Sequence, residues 1–314
     1  MILAAGLTPA WQQAMEFDRF VLGQVNRAHT VTRCASGKVL NVAVALSTLG
    51  ADATTLALVG GPTAELIEAE FAVAGMRRHW VRSSAPTRVC TTILTADGRS
   101  SELVENAGAA TADELAQFEA AYATLAAAAQ IAIITGSLPA GAPATYFRDL
   151  ARHGPARLIL ELRGPELLQA LELRPLVVKP NRHELSLTVG RPLDDDAALA
   201  AAIDELRRRG AQWVVVTDGA APVWIAGPGG LWRAAPPRLA AINPIGAGDC
   251  LAAGLAWAIS RGIALPEAVC SGVAVAAASI GHVLPGRFDA SRVPAIAEST
   301  ALQPMGIVIP GGSA

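Results

Sequence analysis

The residues best placed to do chemistry are Gly246-Ala247-Gly248-Asp249, preceded by Asn243-Pro244-Ile245 and followed by Cys250. Glycines let a backbone turn tightly and approach a ligand closely. This turn feeds an apolar helix, and a helix N-terminus favours an anion through its free N–H groups and its dipole. An aspartate there competes with the anion. Asp249 makes chemical sense as a base that takes a proton from a nucleophile beside developing negative charge. A capped helix after a tight turn reads the same, so the motif depends on its company. One companion is Ser36-Gly37-Lys38-Val39-Leu40-Asn41, a glycine turn opening an apolar helix with Lys38 and Asn41 on one face of its first turn. It reads either as a capped helix with a solvated lysine or as a helix start that contacts sugar or phosphate. Three further loops, around Gly136-Ser137, Pro180-Asn181 and Gly219, fall at expected strand ends.

The elements that must position these residues follow a regular order. Strands are expected at 2–7, 54–59, 131–135, 157–162, 176–179 and 213–217, and helices from about 38 to Gly50 and at 63–74, 112–129, 143–152, 165–171, 195–209, 250–261 and 266–281. Strands alternating with helices imply a mostly parallel sheet covered on both faces, with ligands beyond the carboxyl ends of the strands. Four suggestive loops along one edge of such a sheet outweigh any one of them. A β-prone ribbon at 15–33 and a hairpin at 89–95 and 101–104, turning at Asp97-Gly98, form a small separate sheet. Another hairpin spans 223–240, and the tail from about 300 is expected to fray.

Composition limits the classes. The chain has 314 residues, 52% hydrophobic and 17% charged, enough for a large α/β domain or two domains. A formal net charge of -2 offers no reason to expect nucleic acid or a membrane surface as partner. Mean hydropathy is +0.38, yet the uncharged stretch 120–147 is broken by Gln130, Gly136, Pro139 and Pro143, and 268–281 is short for a bilayer. Buried alanine-rich helices explain both. No secretory signal is read at the N-terminus. Cys34, Cys90, Cys250 and Cys270 are widely spaced, which suits a reduced, cytoplasmic protein.

Over residues 2–290 the sequence resembles the ribokinase-like carbohydrate kinases of the phosphofructokinase B group. The residues that carry the resemblance are Ser36-Gly37-Lys38 with Asn41-Val42-Ala43, Gly136-Ser137-Leu138-Pro139-Ala140-Gly141, Lys179-Pro180-Asn181-Arg182-His183-Glu184-Leu185 and Gly246-Ala247-Gly248-Asp249. Val25-Asn26-Arg27, Thr87-Arg88-Val89-Cys90, Glu102-Leu103-Val104-Glu105 and Asn243-Pro244-Ile245-Gly246 are most similar to tagatose-6-phosphate kinases and 1-phosphofructokinases. The resemblance implies a three-layer αβα fold with a mostly parallel central sheet and a small β-sheet lid, and ATP-dependent, magnesium-assisted phosphorylation of a sugar hydroxyl, most naturally on a ketohexose phosphate. It makes Asp249 the general base and the amides of Gly246, Ala247 and Gly248 the holders of charge on the transferring phosphoryl group. Lys179, Asn181, Thr217 and Gly219 would meet the nucleotide, and Asn181 and Glu184 would organise magnesium through water. Gln12, Gly37, Lys38, Asn41, Ser137, Arg88 and Arg27 would meet the sugar or its phosphate, Arg27 from a partner subunit. The implied division is a core of 1–11, 34–86 and 106–300, a lid and homodimer clasp of 12–33 and 87–105, and a tail of 301–314.

The sequence also departs from the group. Gln12 stands where a sugar-binding aspartate is usual, and Val39 replaces a glycine, adding bulk where sugar is expected to lie. Glu161 replaces an aspartate, and Asp218 and Pro222 replace a leucine and a glycine. These changes keep two alternatives in view: a kinase of an unphosphorylated sugar or nucleoside, and a sugar- or nucleotide-binding homologue with impaired turnover. The five histidines show no metal spacing, and Arg207-Arg208-Arg209 reads as a solvated helix end. Asp194-Asp195-Asp196 reads as an acidic helix start.

Overall fold

The computed structural model describes residues 1–155 and 157–305. In chain order, its first elements are β1 (Ile2–Gly6), β2 (Ala10–Phe17), β3 (Thr30–Ser36), α1 (Lys38–Thr48), β4 (Ala53–Val59), α2 (Gly61–Val73) and β5 (Arg78–Arg82). Next come β6 (Arg88–Thr95), β7 (Ser100–Val104), α3 (Ala112–Ala127), β8 (Ile131–Thr135), α4 (Tyr146–Ala151), β9 (Leu158–Glu161), α5 (Gly164–Ala170), β10 (Val177–Val178) and α6 (Arg182–Val189). The chain continues with α7 (Asp196–Arg208), β11 (Trp213–Val216), β12 (Val223–Gly227), β13 (Gly230–Ala235), α8 (Ala247–Ser260), α9 (Leu265–Ser279), α10 (Val293–Ser299) and β14 (Ala301–Met305).

A ten-stranded sheet runs β14-β13-β12-β11-β10-β9-β8-β1-β4-β5. Its strands are parallel from β5 to β11, and β12, β13 and β14 are added antiparallel. Successive residues of a strand point to opposite faces, and here both faces are apolar. Ile2, Ala4, Ile131 and Ile133 pack with α1, α2, α8, α9 and α10, while Leu3, Ala5, Ala132 and Ile134 pack with α3 to α7. The result is the three-layer arrangement that continuous apolar strands require.

The second sheet has four strands in the order β3-β2-β6-β7. It begins at Ala10 and runs to Ser36, a few residues beyond each end of the expected lid segment 12–33. On β2, Gln12 is paired with Cys34 of β3 and with Cys90 of β6, and Thr92 of β6 faces Glu102 of β7. This alternation turns Gln12, Cys90 and Glu102 toward the carboxyl ends of the core strands.

Three expectations need correction. The segment 301–305 is not a frayed tail but β14, antiparallel to β13 along the sheet edge. Its exposed, weakly alternating residues give little sequence signal, and Pro304 is tolerated because an edge strand leaves one side unpaired. Residues 306–314, the rest of the expected tail, lie outside the described residues. Helix α6 and strand β5 were not expected at all. Third, Val39 does not line the cavity between the strand ends and the small sheet. It is buried in the core against Gly6 of β1, where a Cβ would lie 2.8 Å from Val39 Cβ and 2.6 Å from the Thr135 carbonyl. The glycine on β1 accommodates the valine on α1.

Candidate active site

A cavity of about 490 Å³ opens between the carboxyl ends of the parallel strands and the small sheet. Its floor is the start of α8. Asn243 fixes the approach, with Oδ1 accepting from Ile245 N at 3.0 Å and Nδ2 donating to Val283 O at 2.7 Å. Gly246 then caps the helix at φ +83°, in the left-handed region that other residues avoid. A side chain there would also press on Pro285, 2.7 Å from the added Cβ. Ala247 N donates to Pro244 O at 3.2 Å, and among the described residues the next two amides of α8, those of Gly248 and Asp249, have no acceptor, as is usual at helix starts. The turn also puts Asp249 in the first helical turn.

Asp249 is 6% exposed and lines the cavity. Its Oδ2 accepts from Asn41 Nδ2 at 2.7 Å, and Asn41 Oδ1 accepts from Ser36 Oγ at 2.9 Å. This relay, anchored where β3 turns into α1, holds the carboxylate in one orientation. Burial, and then the Glu161 carboxylate, push Asp249 up to about 7, against the pull of Lys38, the Asn41 hydrogen bond and Lys179. A carboxyl group poised near neutrality suits general base work.

Two ion pairs flank Asp249. Lys179 Nζ lies 2.6 Å from Glu161 Oε1, both residues being 2% exposed, and Thr135 Oγ1 donates to Glu161 Oε2 at 2.9 Å. This pair lies against the glycine turn, since a Cβ on Gly248 would be 3.5 Å from Lys179 Nζ. Lys38 Nζ donates to Glu184 Oε1 at 2.9 Å. Burial favours the neutral form of Lys38, but Glu161, Glu184 and Asp249 together outweigh it and keep the ammonium charged. Burial likewise opposes ionisation of Glu184, yet Lys38 and the Asn181 N–H hold its carboxyl below the usual range.

Asn181 and Glu184 form a reciprocal cap on α6. Asn181 Oδ1 accepts from Glu184 N at 2.7 Å, and Glu184 Oε2 accepts from Asn181 N at 3.0 Å. Both residues line the cavity with Thr217, which is bridged to Asn181 where β10 and β11 end. Across the cavity, Gln12 is buried and donates Nε2 to Thr92 Oγ1 at 2.7 Å, so its amide is fixed. Ser137 meets Thr8 through their hydroxyls at 3.3 Å. Arg88 donates Nη2 to Thr8 O and Nη1 to Glu105 O, each at 3.1 Å, and Nε to Pro9 O at 3.4 Å. These bonds strap the small sheet to the end of β1 and leave two of the five guanidinium N–H donors unused.

Of the residues singled out from sequence, Gln12, Gly37, Lys38, Asn41, Arg88, Ser137, Lys179, Asn181, Glu184, Thr217, Gly246, Gly248 and Asp249 line this one cavity. Ala247 opens α8 between the two lining glycines. Two residues fall elsewhere. Gly219 sits in the turn beyond β11, and Arg27 is exposed on the connection between β2 and β3, so neither touches the cavity of its own chain. Cys90 and Glu102, quoted from sequence only within motifs and given no role in the site, also line it, as does Arg163, which had not been named. Strand alternation could have placed Cys90 and Glu102 opposite Gln12's row once β6 and β7 were paired. Arg163 carried no such signal.

The arrangement can receive an anion at a helix start, hold it between fixed cations and take a proton beside it. Those are the requirements of phosphoryl transfer to an alcohol. Together with the layered sheet and its small covering sheet, they define a phosphotransferase of the ribokinase-like fold. The chain belongs to the pfkB family of carbohydrate kinases, whose family model matches residues 7–288. It is 36% identical over 261 residues to a 1-phosphofructokinase from Xanthomonas campestris pv. campestris, covering 81% of this chain and 82% of that one. Phosphofructokinase-2 from Escherichia coli, solved in complex with fructose-6-phosphate, superimposes with a TM-score of 0.85 at 26% identity, over 95% of this chain and 99% of that one. Ribokinase from Thermotoga maritima shares the fold, with a TM-score of 0.77 at 18% identity over 95% and 99% of the two chains.

Proposed function

We propose that this carbohydrate kinase transfers the γ-phosphoryl group of ATP to a hydroxyl of a ketohexose phosphate of the fructose-phosphate or tagatose-phosphate class. The observation that carries the reading is Asp249, buried, oriented by Asn41 and held near neutrality at the mouth of the Gly246–Gly248 turn. A sugar hydroxyl beside Asp249 loses its proton to the carboxylate as its oxygen bonds to the γ-phosphorus. The bond from that phosphorus to the bridging oxygen breaks, and ADP leaves with the electron pair. The free amides of Gly248 and Asp249 at the start of α8 meet the charge on the moving group, and Lys179 stands beside Gly248.

Magnesium enters this reading as part of the nucleotide substrate. Among the described residues no three His, Cys, Asp or Glu side chains cluster as a metal cage. Both Glu184 oxygens and Asn181 Oδ1 already accept hydrogen bonds. A magnesium ion that keeps most of its waters fits such a site, since it needs few protein ligands. The chemistry it supplies is partial neutralisation of the phosphates.

On the acceptor side, the fixed Gln12 amide offers its carbonyl oxygen to a sugar hydroxyl, and the unused Arg88 donors suit a phosphate at the far end of the sugar. The identity with a 1-phosphofructokinase supports the same class of acceptor. The small sheet is proposed to pair with that of a second copy, where Arg27 can reach the neighbouring cavity. Val31 and Leu103 are exposed on the sheet face turned from the cavity. The free thiols of Cys34, Cys90, Cys250 and Cys270 suit the reducing cytoplasm. The test is a phosphorylation screen with ATP and magnesium across fructose 1-phosphate, fructose 6-phosphate, tagatose 6-phosphate, free hexoses, ribose and nucleosides. Turnover should be greatest with one of the three ketohexose phosphates. A preference for an unphosphorylated acceptor refutes the substrate class, and absence of turnover with any acceptor refutes the activity.

A further inference from the structure

Four cations line the cavity: Lys38, Arg88, Arg163 and Lys179. Three are held by other groups of the protein, Arg88 only in part. Lys38 is paired with Glu184, Lys179 with Glu161, and Arg88 with three backbone carbonyls. Arg163 is exposed to the cavity and, among the described residues, makes neither a side-chain hydrogen bond nor an ion pair. Among the described residues, the carboxylates that line its side of the cavity are already engaged. Glu161 is held by Lys179 and Thr135, and Glu184 by Lys38 and the Asn181 amide. Glu102 lies across the cavity on β7.

The turn that carries Arg163 is fixed toward one end of the cavity. Gly164, the next residue, donates its N–H to Thr188 Oγ1 at 2.8 Å. Thr188 belongs to α6, the helix that begins at the Asn181–Glu184 cap. Arg163 therefore stands with Asn181, Lys179 and Thr217, away from Gln12 and the small sheet. The carboxylates and cations lining the cavity are equal in number, with Glu102, Glu161, Glu184 and Asp249 balancing the four cations. A polyphosphate entering such a site finds little net attraction unless a cation is uncommitted. Guanidinium groups grip phosphate oxygens with paired, charge-assisted hydrogen bonds.

We infer that Arg163 grips the phosphate chain of the nucleotide, an inference that rests on the ATP-dependent kinase reading above. A solvated surface arginine is the competing account, and it predicts no effect on binding. The experiment measures the dissociation constant of magnesium ATP by calorimetry without sugar, and the Michaelis constants for ATP and sugar in turnover, for the wild type, Arg163→Ala and Arg163→Lys. The melting temperature is followed in parallel. Arg163→Ala is expected to weaken ATP about ten- to a hundredfold, the scale of one charge-assisted hydrogen bond. Its sugar constant should stay within about twofold and its melting temperature should be unchanged, because the side chain holds no other residue. Arg163→Lys should recover part of the loss. Equal ATP binding in wild type and Arg163→Ala overturns the inference while leaving the kinase intact. So does a rise confined to the sugar constant, which would assign Arg163 to the acceptor's phosphate. A matched loss of stability and of both substrates also overturns it. A wild type that neither binds nor uses ATP overturns the kinase reading itself, and the inference with it.

Discussion

In its proposed role as base, Asp249 has to be a carboxylate to accept a proton, yet burial and Glu161 shift it toward the protonated form. Its pKa of about 7 is raised by burial and by Glu161. The active fraction therefore grows as pH rises, and kcat/KM should climb through about pH 7 and then level off. A profile already flat from pH 5 upward would show that another group limits the reaction. Asn41 donates to the ionised carboxylate and so lowers its pKa. Asn41→Ala should move the rising limb to higher pH, a shift that a purely structural role for Asn41 does not produce. Asp249→Asn should keep ATP binding but slow turnover by about 100-fold or more, the usual scale for a positioned base. Near-normal turnover in a folded Asp249→Asn protein would remove Asp249 from the role of base.

At the scale of elements, α1 shows how a local departure is absorbed. Residues Val39 to Leu46 are all buried, so α1 is held on every side. Val39 occupies the space that Gly6 leaves free on β1. Restoring glycine by Val39→Gly should not open the sugar site. It should create a core void and weaken a helix, at a cost of about 2–4 kcal/mol. A lowered melting temperature with the sugar Michaelis constant within about twofold is the expected outcome, and a large change in that constant at unchanged stability would contradict it. Helix α6 illustrates a different limit on sequence reading. From sequence, Asn181 and Glu184 carry implied roles toward nucleotide and magnesium, not that of a helix cap, and the helix's buried residues are Glu184, Leu185 and Thr188, too polar and too few to show helical periodicity.

At the scale of the molecule, the small sheet both closes the cavity and presents a second face. Leu103 is 57% exposed and Val31 38% exposed on that outer face, and Leu22 and Val25 stand out on the connection between β2 and β3. Apolar groups gathered on one small sheet favour association. The protein is expected to be a dimer by light scattering at micromolar concentration, and Leu103→Asp should shift it toward monomer without lowering the melting temperature of the core. A wild-type monomer under those conditions would rule out the clasp.

The sequence by itself determined the alternating order of strands and helices, the turns at Gly37, Gly136, Asn181 and Gly246 that line the cavity, and the carboxylate proposed as the base. Those features are local: glycine turns, caps and apolar runs act over a few residues. Only the tertiary structure decided which charges are paired. The ion pair of Lys38 with Glu184 and the hydrogen bond of Asn41 with Asp249 join residues 146 and 208 positions apart, while Lys179 and Glu161 meet across neighbouring strand ends. It also decided that Val39 faces the core and that Arg163 faces the cavity, without a side-chain partner among the described residues. Neither the direction of a side chain nor what else competes for it is written in the residues beside it. Both follow from close packing, which sets distances between segments that the chain order leaves free.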